Sequence, residues 1–120
     1  MAPEELAQAA ADAVRNLNHA THANGSSKSC EGLEYPGDAY AVLGALKELT
    51  QRLPQTCGQI GAFLETQHRD GHLTAGHGTT DEHLTALHAA LINASAASAK
   101  LTNALSHAHS ALGPIGHTST

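Results

Sequence analysis

Aromatic side chains are nearly missing from this chain: Tyr35, Tyr40 and Phe63 are the whole set, and there is no tryptophan. Any core must therefore be built from leucine, isoleucine, valine and alanine, and alanine buries little area per side chain. Cysteine is almost as scarce. Cys30 and Cys57 are too few for a disulfide framework, and neither has the Cys-x-x-Cys spacing of a redox or zinc site. In a reducing compartment both are expected to be free thiols. The six basic residues, Arg15, Lys28, Lys47, Arg52, Arg69 and Lys100, are scattered, and the formal charge is −5 with histidine neutral. No stripe of them could follow a phosphate backbone, so nucleic acid is not an expected partner. The Lys/Arg-rich face of a membrane-surface helix is missing too, and no apolar run approaches a membrane span. The opening MAPEELAQAAADAVRNL starts with acids and lacks the basic and apolar regions of a signal peptide, so no membrane association and a cytoplasmic location are expected.

What the chain does have is alanine and leucine at helical spacing. Its 120 residues favour one domain, and alanine, the best helix former, lets helix backbones approach closely. A short N-terminal helix is predicted over residues 1–17, starting near Pro3 with Glu4 and Glu5 at the positive end of its dipole. Its apolar face is Leu6, Ala10, Ala13, Val14 and Leu17. Residues 18–35 contain HATHANGSSKSCEGLEY, rich in glycine, serine and asparagine with no apolar period, and read as a flexible linker.

Residues 36–113 read as a long antiparallel helical hairpin. The second helix should run over 37–68, with Pro36 and Asp38 at its start and the heptad Val42, Leu46, Leu49, Leu53, Thr56, Ile60, Phe63. Pro54 conflicts with that pattern, since proline inside a helix removes one hydrogen bond, and a bend or a break near Leu53 is predicted. RDGHLTAGHGTTD is the turn, and Thr79 with Glu82 matches a capping box. The third helix should span 80–112 on the heptad Leu84, Leu87, Leu91, Ala94, Ser98, Leu101, Leu105, Ala108, Leu112, with Gly113-Pro114 ending it and 114–120 a frayed tail. If the turn is centred near residue 75, facing residues sum to about 150. Leu46 then meets Leu105, Leu49 meets Leu101, Leu53 meets Ser98 and Phe63 meets Leu87. Small residues at the centre could accommodate Pro54. Each arm would be about 45 Å long. The fold class is thus all-α, a hairpin plus a short helix closing as a three-helix bundle or as a dimeric four-helix bundle.

Ten histidines are present. His68, His72, His77 and His83 all fall at or beside the turn, and neutral imidazoles ligate zinc or nickel. They form the candidate metal site, set against the plainer reading of polar residues in a solvated turn, with no metal or other cofactor. His19 with His22, and His107 with His109, read as surface residues. Protonation of several histidines near pH 6 would also move the net charge towards zero. Asp81 and Glu82 suit a helix start, and Glu48 with Arg52 a surface ion pair. Cys57 has the character of a small packing residue. Asn24-Gly-Ser and Asn93-Ala-Ser match the glycosylation sequon. No nucleophile–base pair or phosphate loop is evident, and no catalytic residue is assigned.

LEYPGDAYAVLGALKELTQRLPQ and LINASAASAKLTNALSHAHSALG resemble short helical proteins of Streptomyces-like actinobacteria, a resemblance that implies a small helical accessory protein. By architecture the hairpin is also similar to the WXG100 secretion substrates, which implies a leaderless secreted protein. The turn, however, has Gly76-His77-Gly78 and no tryptophan, and no C-terminal Tyr-x-x-x-Asp/Glu follows. The function expected is a non-enzymatic coiled-coil module for protein–protein interaction, a homodimer or the partner of another helical protein. Its core and interface would be drawn from Leu46, Leu49, Leu53, Ile60, Phe63, Leu87, Leu91, Leu101 and Leu105.

Overall fold

A computed structural model describes residues 1–22 and 32–118. Among them there are three helices and no strand: α1 (Pro3–Ala20), α2 (Pro36–Arg69) and α3 (Thr80–Leu112). The all-α hairpin predicted from the sequence is present, since α2 and α3 pack on each other along their length. None of the helices is long and apolar enough to cross a membrane. The chain divides into two compact units, Met1–Tyr40 with Ile115–Thr120, and Ala41–Pro114. Of the linker, residues 23–31 lie outside the described residues, and with them Cys30 and the sequon at Asn24.

In the first unit, α1 starts where Pro3 and its acids predict, with the Glu5 carboxylate accepting the Ala2 N–H at 3.1 Å. It runs one turn past Leu17. The N–H and the hydroxyl of Thr21 both donate to the Leu17 carbonyl, each at 2.9 Å, and so close the last turn. α1 buries none of its residues. The start of α2 belongs to the same unit and is held by one side chain. Asp38 accepts the N–H groups of Tyr35 at 2.9 Å and Glu34 at 3.0 Å, donors that a helix start would otherwise leave without partners. In the same unit the His117 ring lies edge-on against Tyr35, with centroids 5.0 Å apart.

In the second unit α2 and α3 form the hairpin. α2 ends in a Schellman arrangement, in which Gly71 at φ +75° lets the His72 N–H reach the Gln67 carbonyl and its own N–H reach that of His68. α3 begins at Thr79, whose hydroxyl accepts the Glu82 N–H at 3.1 Å, one half of the expected capping box.

Where the two helices meet differs from the expected leucine seam. On α2 the covered positions include Lys47, Thr50, Pro54, Cys57, Gly61 and Leu64, which is the leucine heptad displaced by one residue, together with Val42 and Leu46 of that heptad near the start of the hairpin. On α3 they include Leu84, His88, Leu91, Ser95, Ser98 and Thr102. The lengthwise register is as predicted, with Gly61 beside His88 and Thr50 beside Thr102. However, α2 is rotated about its axis by one residue, and α3 by less, since Leu84, Leu91, Ser98, Leu105 and Leu112 of its predicted heptad are covered.

Pro54 accounts for the rotation. α2 is continuous through it, with no break. Having no N–H, Pro54 leaves the carbonyl of Thr50, four residues earlier, without its helical partner. Ser98 of α3 supplies the missing donor, its hydroxyl reaching the Thr50 carbonyl at 2.7 Å. Beside it the Thr50 and Thr102 hydroxyls share a hydrogen bond of 2.7 Å. Thr50 and Ser98 are 5% and 7% exposed, whereas the one large apolar side chain buried among the described residues is Leu84. Ser98 therefore partners Thr50 and not Leu53. On either side of this centre a histidine lies over a glycine. A Cβ on Gly44 would come within 3.2 Å of His109 Nε2, and one on Gly61 within 3.4 Å of His88 Nδ1.

Ser98→Ala leaves the Thr50 carbonyl buried and unpaired, and should cost about 1–3 kcal/mol in urea unfolding. In a Pro54→Ala background residue 54 regains the N–H that serves that carbonyl, so the same substitution should cost clearly less. Equal costs in the two backgrounds would sink this account. A second expectation concerns Asp38. The N–H groups of Tyr35 and Glu34 hold its carboxyl below the usual aspartate value, because they favour the charged form. A depressed folded pKa means that the cap is present above the unfolded value and lost as pH falls through the folded one. An NMR titration should place the Asp38 midpoint below that of an unstructured aspartate, with the Tyr35 and Glu34 amides moving at the same midpoint.

Candidate functional site

One residue along a helix is a rotation of about 100°. The seam of α2 displaced by one residue toward its N-terminus gives Leu46, Leu49, Leu53, Thr56, Ile60 and Phe63. The same displacement on α3 gives His83, Leu87, Ala90, Ala94, Ala97, Leu101 and Ala104, continuing to Ala108 and Ala111. Because the helices run in opposite directions, equal displacements swing both stripes to the same side of the hairpin. That side carries no Asp, Glu, Lys or Arg at any of these positions.

The side is also open. Phe63 is 60% exposed, Leu101 49%, Ile60 46% and Leu53 41%, and Leu49 is exposed as well. Leu46 and Leu87 are half-buried, the latter beside a recess of about 430 Å3 where Leu73 of the turn joins Leu64 and Leu84. Of the nine apolar residues named for the core and interface, Leu91 and Leu105 thus sit in the seam itself, and the other seven form one face beside it. Four or five large apolar side chains in one uncharged stripe are more than a scatter of single exposed residues, and such patches mark contact surfaces.

Displacement by one residue in the other direction leads to the opposite side, where a groove of about 510 Å3 is lined by Cys57, Gly61, Glu65, His88, Leu91 and Ile92 among others. His88 Nε2 lies 3.1 Å from a Glu65 carboxylate oxygen and so ties α3 to α2. The Cys57 thiol is free and half-buried, as expected of a packing residue. Neither Ile92, 69% exposed on this side, nor the His88–Glu65 link is marked by the heptad pattern. The register could have shown the link, since it sets residues 65 and 88 nearly level.

The turn histidines are placed as two pairs. His68 Nε2 meets Asp81 Oδ1 at 2.6 Å. His83 Nε2 meets the His77 carbonyl oxygen at 2.7 Å, and the two rings stand edge to face with centroids 4.9 Å apart. His72 is exposed. Among the described residues no three His, Cys, Asp or Glu side chains come together as a metal-holding group, so His68, His72, His77 and His83 do not converge. His19 and His107 are exposed as predicted, whereas His109 is half-buried over Gly44. Glu48 and Arg52 form the expected surface ion pair. No family model matches the chain, and no curated protein and no solved structure shows significant similarity to it.

Proposed function

We propose that this chain is a non-enzymatic interaction module whose working surface is the uncharged leucine–alanine face of its hairpin. A single observation supports the reading most strongly. Phe63, Ile60, Leu53 and Leu101 are exposed together on an outer face, while the middle of the helix–helix seam is occupied by Thr50, Ser98, Gly61 and His88, with Leu64, Leu84, Leu91 and Leu105 beside them. Fully covering a leucine, isoleucine or phenylalanine side chain is worth about 1.5–3 kcal/mol relative to leaving it in water. Four such residues on one stripe represent a driving force that another apolar helical surface can use. The partner class is accordingly helical and apolar, either another copy of the chain or a different protein, and charge plays little part in the contact itself.

The face can be tested without disturbing the fold, because its side chains lie outside the seam. Phe63→Asp and Leu53→Asp should keep the helical circular dichroism of the wild type and weaken association, read by light scattering and sedimentation, by tenfold or more, equivalent to about 1.4 kcal/mol or above. Ile92→Asp, at a still more exposed apolar position on the opposite side, should leave association unchanged. If all three variants behave alike, the face is not the working surface.

A further inference from the structure

The face is not uniform, and its asymmetry identifies an occupant. Its α2 half is a ridge of Leu46, Leu49, Leu53, Ile60 and Phe63, and its α3 half is mostly a trough of alanines interrupted by Leu87 and Leu101. We propose, resting on the reading above, that the occupant is a second copy of this chain, and that two hairpins pair face to face about a two-fold axis parallel to their helices, with both turns at the same end.

Symmetry leads to this arrangement. A two-fold axis of that direction places α2 of one copy over α3 of the other and keeps every residue at its own level along the bundle. The levels are those of the hairpin, fixed by Thr50 beside Thr102 and Gly61 beside His88. Ile60 then lies over Ala90, Leu53 over Ala97 and Leu46 over Ala104, large side chains into gaps left by small ones. Leu49 over Leu101 and Phe63 over Leu87 bring large residues together nearer the two ends. The other face-to-face choice, with the axis across the helices, stacks ridge on ridge and trough on trough and leaves a gap along the alanines. An isologous interface must be self-complementary, and only the first arrangement makes this one so.

Angles, area and charge agree. In each helix the seam and the outer stripe are about 100° apart, near the right angle by which a helix of a four-helix bundle touches two neighbours. Two helices each about 10 Å wide, over the 18 residues from Leu46 to Phe63 at about 1.5 Å each, present on the order of 540 Å2 per copy and so about 1,100 Å2 for the pair. A specific interface clears about 1,000 Å2 in total. The chain is acidic overall, at −5, so two copies repel, and at its stripe positions this face carries no Asp, Glu, Lys or Arg to set like charges against each other.

A spin label at the turn distinguishes the possibilities. Gly76→Cys is made in the full chain with Cys30→Ser and Cys57→Ser, on an exposed residue, and the distance between labels is read by pulsed dipolar spectroscopy at about 100 μM protein. Turns at the same end place the labels about 20 Å apart, whereas turns at opposite ends place them about 60 Å apart, from 1.5 Å per residue over the arm. The short distance, abolished by Ala97→Arg in the trough, is the expected result. The long distance overturns the proposal, and so does a monomer by light scattering, whether α1 of the same chain or nothing covers the face. In a monomer, apolar-dye binding that Phe63→Asp removes would leave the interaction surface standing with a different occupant. Dye binding indifferent to that substitution would remove the surface as well.

Discussion

A single missing hydrogen-bond donor organises the hairpin. Pro54 interrupts the backbone ladder of α2 and strands the carbonyl of Thr50 in the middle of a 34-residue helix. A stranded carbonyl on the solvent side could turn to water, but Thr50 is buried, and there it requires a donor from another element. The Ser98 hydroxyl reaches it from α3 at 2.7 Å. This contact fixes two coordinates at once, how far α3 slides along α2 and which face of each helix turns inward. A hydroxyl on a one-carbon stem reaches a neighbouring backbone only if the helices are close, and the small residues around it, with glycine under His109 and His88, allow that approach.

The second consequence is energetic. If the seam is set by a polar contact between small residues, the leucines one position away cannot also be in it. An unpaired buried carbonyl costs about 1–3 kcal/mol, which is less than burying several leucines would return. The polar seam is therefore not explained by its own strength within one hairpin. It becomes economical when the leucine face is covered by something else, because then both contacts are made. Under the proposed function this links Pro54 to the interaction surface; the two stripes lie about a quarter turn apart because one residue along a helix is a rotation of about 100°.

Much of the architecture was legible in the residues. Helix starts at Pro3, Pro36 and Thr79 are written in proline, acids and a capping threonine, and the ends at Gly71 and Gly113-Pro114 in glycine and proline. The lengthwise register followed from the turn alone. The rotation did not, because α2 carries two heptads one residue apart, Leu46-Leu49-Leu53-Ile60-Phe63 and Thr50-Pro54-Cys57-Gly61-Leu64. Hydropathy favours the first as the seam, whereas packing in the hairpin uses the second. Pro54 was the discriminating signal: in a long helix it marks a face where a neighbour must supply a donor, and a serine at the matching level of α3 is such a donor. The turn histidines show a different limit. Spacing places His68 opposite His83, but His68 meets Asp81, two residues before His83, and His83 meets the His77 carbonyl. Ligand geometry depends on that finer scale, and periodicity does not resolve it.

The two cross-helix histidines also bear on how the hairpin closes. At His88 the ring lies over Gly61 and reaches the Glu65 carboxylate, and at His68 the ring reaches Asp81, so α2 and α3 are joined by an imidazole–carboxylate contact at two levels. Both are partly open to water, and exposed pairs of this kind contribute about 0–1 kcal/mol. They cannot replace a core. With one large apolar side chain buried among the described residues, the hairpin has little hydrophobic burial of its own. If a partner covers the leucine face as proposed, that burial adds to the stability of the hairpin in step with partner concentration.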